Sequence, residues 1–215
     1  MKDLKEIIKQ HKRGILDEKD YSKFAVMLPL LQTESGQLQV LFEVRSKNLK
    51  GQPGEICFPG GGVEEKDCNK METAVRETCE ELQIYRDTIE VWGSLDVLFT
   101  PFQYILYPYV GFIKKKPDEI KPNSDEVQEV FTVPLSKLQN ITPEYHEISV
   151  RIDPGNNFPY QKIPGGRNYA WSKGRVPEYF YEVQGKVIWG LTARILTNFL
   201  LILDFHQTRK QGVSN

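Results

Sequence analysis

The 215-residue chain is long enough for one domain with a proper core and too short for two comfortable ones. Its 28 Lys and Arg against 29 Asp and Glu leave a net charge of −1, so the whole-molecule field argues for neither nucleic acid nor an anionic membrane as a partner. Three cysteines, Cys57, Cys68 and Cys79, with no CxxC pair, exclude a disulfide framework or a zinc site and predict reduced thiols in a cytoplasmic protein.

In chain order, residues 3–16 alternate charges with apolar residues, and Leu4, Ile7, Ile8 and Ile15 near helical spacing predict an amphipathic helix. That stretch lacks the long apolar run of a signal peptide. Residues 24–31 (FAVMLPLL) and 38–45 (LQVLFEVR) predict strands, and TESG between them predicts a hairpin turn. Pro29 inside the first strand predicts an edge or a bulge. A Gly- and Pro-rich loop from Lys50 to Gly62 precedes a helix from about Lys70 to Leu82. Residues 89–99 and 104–113 are strand-like and broken at Thr100-Pro101, and residues 127–133 form a short strand ended by Pro134. Residues 147–153 and 179–189 predict further strands, and residues 190–206 the last long helix. The apolar run ILTNFLLIL within that helix is far too short to span a bilayer and predicts core packing. Strands interspersed with a few helices, without steady βαβ alternation, predict an α+β domain over residues 1–215, with a mixed sheet and helices on its faces. His11, His146 and His206 occur singly, without ligand spacing, and read as structural.

Residues 58–84, FPGGGVEEKDCNKMETAVRETCEELQI, carry the chemistry. On a wheel of roughly 100° per residue, Met71, Val75, Thr78, Cys79 and Leu82 cluster on one side. Glu77, Glu80 and Glu81 cluster on the other, so one face buries and the opposite face presents three carboxylates. Like charges at i, i+3 and i+4 weaken an isolated helix, and a divalent cation among them resolves the repulsion. Hard oxygen donors suit Mg²⁺ or Mn²⁺. Arg76 beside them could hold one carboxylate by a charge-assisted hydrogen bond. Taken alone, RETCEE is more often a solvated helix face, and a glycine-rich turn is more often only a turn. Their combination at this separation is far more specific. The Pro59-Gly60-Gly61-Gly62 loop lets backbone approach a ligand closely and offers N–H groups to phosphate.

This segment resembles the Nudix box, G-x5-E-x7-R-E-U-x-E-E-x-G-U, where U is a bulky apolar residue. Gly62, Arg76, Glu77, Glu80, Glu81 and Ile84 match it; Cys68, Thr78 and Gln83 depart from it. Gly60-Gly61, Glu64 and Asp67, followed by Thr73-Ala74-Val75-Arg76-Glu77, resemble the variant box of the coenzyme A diphosphatase branch. Upstream, Arg45-Ser46, Leu49-Lys50, Gln52, Gly54, Ile56 and Phe58-Pro59-Gly60-Gly61 are similar to that branch's R-S-x2-L-R-x-H-x-G-x-V-x-F-P-G-G, with Lys50 for arginine and Gln52 for histidine. Weaker likeness lies in Asp125-Glu126-Val127 with residues 131–135, and in residues 187–194.

The resemblance implies a Nudix-like α/β/α sandwich with a mixed sheet and a loop–helix–loop catalytic motif over residues 60–84. It implies Glu77 and Glu81 as principal metal ligands, Glu80 as a further ligand or the general base, and Arg76 orienting Glu77. Glu126 is the second candidate base. Arg45, then Lys50, with the Gly60 and Gly61 backbone, would take substrate phosphate, and Mg²⁺ or Mn²⁺ would serve as cofactor. The loop holding Arg167, Tyr169, Trp171 and Lys173 reads as an ordinary surface loop anchored by aromatics, or as a clamp for an adenine or pantetheine arm. The implied partner is a small-molecule nucleotide: coenzyme A, cut to adenosine 3′,5′-bisphosphate and 4′-phosphopantetheine, or another linked nucleoside diphosphate such as ADP-ribose, which Lys50 and Gln52 favour slightly. A third reading, a non-catalytic binding module, fits poorly with retention of all three glutamates. The terminal helices leave a homodimer open.

Overall fold

The computed structural model describes residues 2–12 and 14–212. Strands β1 (Ser22–Gln32) and β2 (Leu38–Arg45) form the expected hairpin, closed by Gly36 N donating to Thr33 O at 3.0 Å. The two strands pair only at their hairpin end, Leu30–Gln32 against Leu38–Val40. Beyond it they part, and two short strands fill the gap: β3 (Ile56–Cys57) pairs with β2, and β4 (Gly60–Gly62) pairs with β1. Part of the expected glycine-rich loop is therefore held in the sheet, and this split brings its glycines to the sheet's centre.

On its other edge β1 runs parallel to β7 (Tyr104–Ile113). Strands β5 (Ile89–Ser94) and β6 (Leu98–Phe99) pair antiparallel with β7, and β8 (Val127–Pro134) pairs with β2. The sheet is mixed, as the pattern predicts. Residues 89–99 are two strands rather than one, because β5 has a register shift between Val91 and Gly93 and ends at Ser94. Pro29 sits in an interior strand, not at an edge. Met27 N donates to Pro59 O at 2.8 Å, and Pro29, two residues on, turns toward the same edge. There β1 has left β4 and not yet met β2, so no donor is required.

A second, three-stranded sheet contains β9 (Glu144–Arg151), β10 (Lys173–Val183) and β11 (Lys186–Ile188). The expected single strand 179–189 is a hairpin, turning at Gln184 and Gly185, both at positive φ. The expected strand 147–153 runs 144–151 instead.

Helix α1 (Lys2–Gln10) ends well short of residue 16. Leu4, Ile7 and Ile8 stay exposed, so no packing extends it toward Gly14, a poor helix former. Helix α2 (Lys70–Leu82) has the expected bounds, and Asn69 Oδ1 caps it by accepting from Glu72 N at 3.1 Å. A short helix α3 (Leu135–Gln139) follows Pro134, and α4 (Gly190–Gly212) closes the chain. Among the described residues no helix is long and apolar enough to cross a membrane.

The period-two alternation of β1 and β2 builds two cores. Ala25, Met27, Leu31 and Leu41 pack with Ala74, Val75 and Leu82 of α2. Leu28, Leu30, Val40 and Phe42 pack with Ala193, Leu196 and Phe199 of α4 and with Tyr181 and Ile188 of the second sheet. The sheet is thus covered on both faces, the layered α+β arrangement that the resemblance implies.

Candidate active site

The expected carboxylates gather where β1 and β2 part. Glu81, near the end of α2, is buried, and its Oε2 accepts from Gly60 N on β4 at 2.8 Å. Glu77, one turn earlier, lies against Gly61: a methyl group added there would sit 2.5 Å from Glu77 Oε1. At Gly60 an added methyl would sit 2.5 Å from Ala25 O. Gly60 is therefore fixed by the β1 backbone, whereas a side chain at Gly61 would have to displace the Glu77 carboxylate. Glu80 is exposed. The wheel reading needs correcting here: Glu81 belongs with the buried residues of α2, and only Glu80 faces open solvent.

Arg76 organises this face. Its Nε and Nη2 make a fork on Asp67, at 3.0 Å to each carboxylate oxygen. Its Nη1 donates to Glu77 Oε1 at 2.8 Å and to Glu80 Oε2 at 3.2 Å, and Nη2 also reaches Gly62 O at 3.3 Å. Arg76 holds Glu77 as expected, but its principal anchor is Asp67, which the sequence reading left without a role. Asp67 also accepts from Thr73 Oγ1 at 2.8 Å and Glu64 N at 3.0 Å. The hydrogen bonds from Arg76, foremost, hold its carboxyl well below the usual carboxylate range. Thr78, a departure from the box pattern, is buried and satisfied by donating to Ala74 O at 2.7 Å.

A further buried carboxylate, which sequence reasoning missed, lies on the α2 side of the sheet. Glu43 lies on β2, on the same face as Leu41, and is 1% exposed. Its Oε1 accepts from Cys57 Sγ at 3.2 Å across the β2–β3 pair, while Oε2 has no hydrogen-bond partner. Burial, and then the charge of Glu43, push the Glu81 carboxyl upward; burial pushes Glu43 upward as well. Burial likewise pushes the Glu77 carboxyl and the Cys57 thiol upward. The available signal was a glutamate inside the otherwise apolar run VLFEV of β2.

Glu126 lies in the loop before β8. Asn123 N ties that loop to α2 by donating to Glu81 O at 2.8 Å, and Ser46 N donates to Glu126 O at 2.8 Å. The charge of Glu126 acts on Glu43, Glu77 and Glu81. Arg45 ends β2, its Nε donating to Gly51 O at 3.3 Å, and its charge acts on Glu43. Lys50 remains exposed and makes no ion pair among the described residues. The Arg167 loop folds on itself: Trp171 meets Phe158 and Tyr169 edge-on, and Arg167 covers the Tyr160 ring. His11 and His146 are exposed, the latter bound to Glu144; the side chain of His206 lies outside the described residues.

The donor set suits a hard divalent cation: the carboxylate oxygens of Glu77 and Glu81 lie against Gly61 and Gly60, and Glu43 adds a buried, unpartnered oxygen. Among the described residues no three carboxylate, imidazole or thiol groups already form a metal-sized cage. Arg76 Nη1 draws Glu77 and Glu80 to one guanidinium, and Gly60 N holds Glu81.

Residues 22–151 match the NUDIX domain, and the chain belongs to the Nudix family. It is 37% identical over 132 residues to Nudix hydrolase 3 of Caenorhabditis elegans, covering 60% of this chain and 54% of that protein. It is 41% identical over 114 residues to the peroxisomal coenzyme A diphosphatase NUDT7 of Mus musculus, covering 53% and 48%. It is 32% identical over 195 residues to the mitochondrial coenzyme A diphosphatase NUDT8 of Homo sapiens, covering 88% and 74%. The chain spans about half the length of the first two relatives.

Proposed function

We propose that this protein hydrolyses the diphosphate bond of coenzyme A or its derivatives, giving adenosine 3′,5′-bisphosphate and 4′-phosphopantetheine. The observation that carries the reading is the gathering of Glu77, Glu80 and Glu81 around Arg76, Gly60 and Gly61 at the split between β1 and β2. Two relatives named as coenzyme A diphosphatases support the substrate, as does the run from Arg45 to Gly61.

Glu77 and Glu81 are the ligands we assign to Mg²⁺ or Mn²⁺, with Glu80 as a further ligand or the base. A cation held there would neutralise the diphosphate oxygens and stabilise charge on the leaving phosphate. Glu80, exposed and close to Arg76, is the first candidate to take the proton of the attacking water, and Glu126 the second. Water adds to one phosphorus, the bridging P–O bond breaks, and the leaving phosphate departs with its oxygen. Arg76 fixes the rotamers of Glu77 and Glu80, and Asp67 fixes Arg76. The backbone of Gly60 and Gly61, with Arg45 and then Lys50, contacts phosphate.

The test is incubation of the purified full chain with Mg²⁺ or Mn²⁺ and coenzyme A, ADP-ribose, NADH or dinucleoside polyphosphates. Cleavage of coenzyme A that falls about 100-fold or more in Glu81→Gln is the expected result. Cleavage of ADP-ribose alone would move the assignment to that substrate, the reading that Lys50 and Gln52 favour. No cleavage by folded protein would return the chain to a binding role.

The unpaired thiols of Cys57, Cys68 and Cys79 support a reducing, cytoplasmic setting, which fractionation of expressing cells would test. A homodimer is our assignment for assembly: β9 is a sheet edge, and pairing two copies about Ser149 would set Glu147 opposite Arg151. A monomeric mass by light scattering would rule it out.

A further inference from the structure

We propose that Glu43 is a fourth carboxylate of the cation centre, the deepest of the set, and that it takes its counter-charge from the divalent cation. This rests on the reading of Glu77 and Glu81 as ligands. Glu43 is 1% exposed, and its Oε2 meets no donor. A buried carboxylate oxygen without a partner is destabilising, so a carboxylate at such a position calls for a compensating charge. The charge of Arg45 acts on Glu43 without a hydrogen bond to it, and no donor reaches Oε2. Cys57 Sγ is a weak donor and engages only Oε1, at 3.2 Å. Arg45 donates instead to its own loop, at Gly51 O.

The topology directs Glu43 into the site. It shares its face with Leu41, which packs in the α2 core, and it pairs in register with Cys57 on β3. Three residues further, Gly60 of β4 donates to Glu81. Glu43 on β2 and Glu81 on α2, the latter held by Gly60 of β4, lie near enough for the charge of Glu43 to act on Glu81. A cation entering at Glu77 and Glu81 meets in Glu43 an anion that cannot turn away to solvent. Glu43 therefore strengthens cation binding as a direct ligand.

The experiment titrates MnCl₂ into the full chain and reads free Mn²⁺ by electron paramagnetic resonance, for wild type, Glu43→Gln, Glu81→Gln and Glu90→Gln. The Glu90 variant is a control for an exposed carboxylate that pairs with Lys114. The expected result is a 10- to 100-fold weaker Mn²⁺ constant for Glu43→Gln, with the control unchanged. Mn²⁺ binding within twofold of wild type in Glu43→Gln, with binding lost in Glu81→Gln, would overturn this inference alone. Unchanged binding in both would overturn the ligand reading and this inference together. Should Glu43→Gln not fold, as judged by circular dichroism, anomalous diffraction from Mn²⁺-soaked wild-type crystals decides. A peak within bonding distance of a Glu43 oxygen supports the proposal. A peak elsewhere, or none, overturns it.

Discussion

Asp67 and Arg76 form the contact on which the geometry of the site turns. Arg76 makes a fork on Asp67 and directs both Nη1 hydrogens to Glu77 and Glu80. Replacing Asp67 by Asn leaves the guanidinium without its anchor, and turnover should fall by about 10- to 100-fold through misplaced glutamates. Stability carries a pH signature. The carboxyl of Asp67 titrates lower in the folded than in the unfolded chain. Its contribution is therefore present above the ordinary carboxylate range and disappears as pH falls through that range and below. Urea denaturation should find Asp67→Asn less stable than wild type at about pH 6, with the gap narrowing toward about pH 3. A gap independent of pH would mean that Asp67 acts by shape and not by charge.

Helix α2 is set by its two ends. Asn69 caps the start, and Asn69→Ala should lower stability by about 1 kcal/mol in urea denaturation. The other end carries strain. Gln83 takes φ 50 and ψ 49, the left-handed region, at the C-cap where the family pattern has glycine. The left-handed conformation costs a non-glycine residue about 1–2 kcal/mol, and a glycine's extra freedom in the unfolded chain returns about 0.5–1 kcal/mol of that. The first effect wins, so Gln83→Gly should stabilise the protein by about 0.5–1 kcal/mol, measured by the same denaturation. Activity should be unchanged, because the backbone keeps its course to Glu81. A loss of stability would show that the Gln83 side chain contributes more than its backbone strain costs.

The sheet separates stability from chemistry at the scale of the whole molecule. Helix α2 and the carboxylates lie on one face; α4 and the second sheet cover the other. Leu196 of α4 is fully buried, and Leu196→Ala should cost about 2–5 kcal/mol of unfolding free energy. Mn²⁺ binding by the folded fraction should stay close to wild type, since the cavity opens on the far side of the sheet. A matching loss of Mn²⁺ affinity would mean that the two faces are coupled.

The sequence by itself determined the helix 70–82, the hairpin of β1 and β2 and the mixed sheet, and it singled out Arg76, Glu77, Glu80 and Glu81 as candidates. These follow from local periodicity and from a motif contained in one continuous stretch. Only the tertiary structure decided where those groups point. The burial of Glu81 depends on β4, and the place of Glu43 depends on β2 meeting β3, pairings between residues far apart in sequence. The tolerance of Pro29 inside the sheet depends on a change of neighbour that no single strand encodes. The end of α1 at Gln10 depends on the absence of a surface to bury its apolar stripe, since periodicity describes which face would pack but not whether anything packs on it.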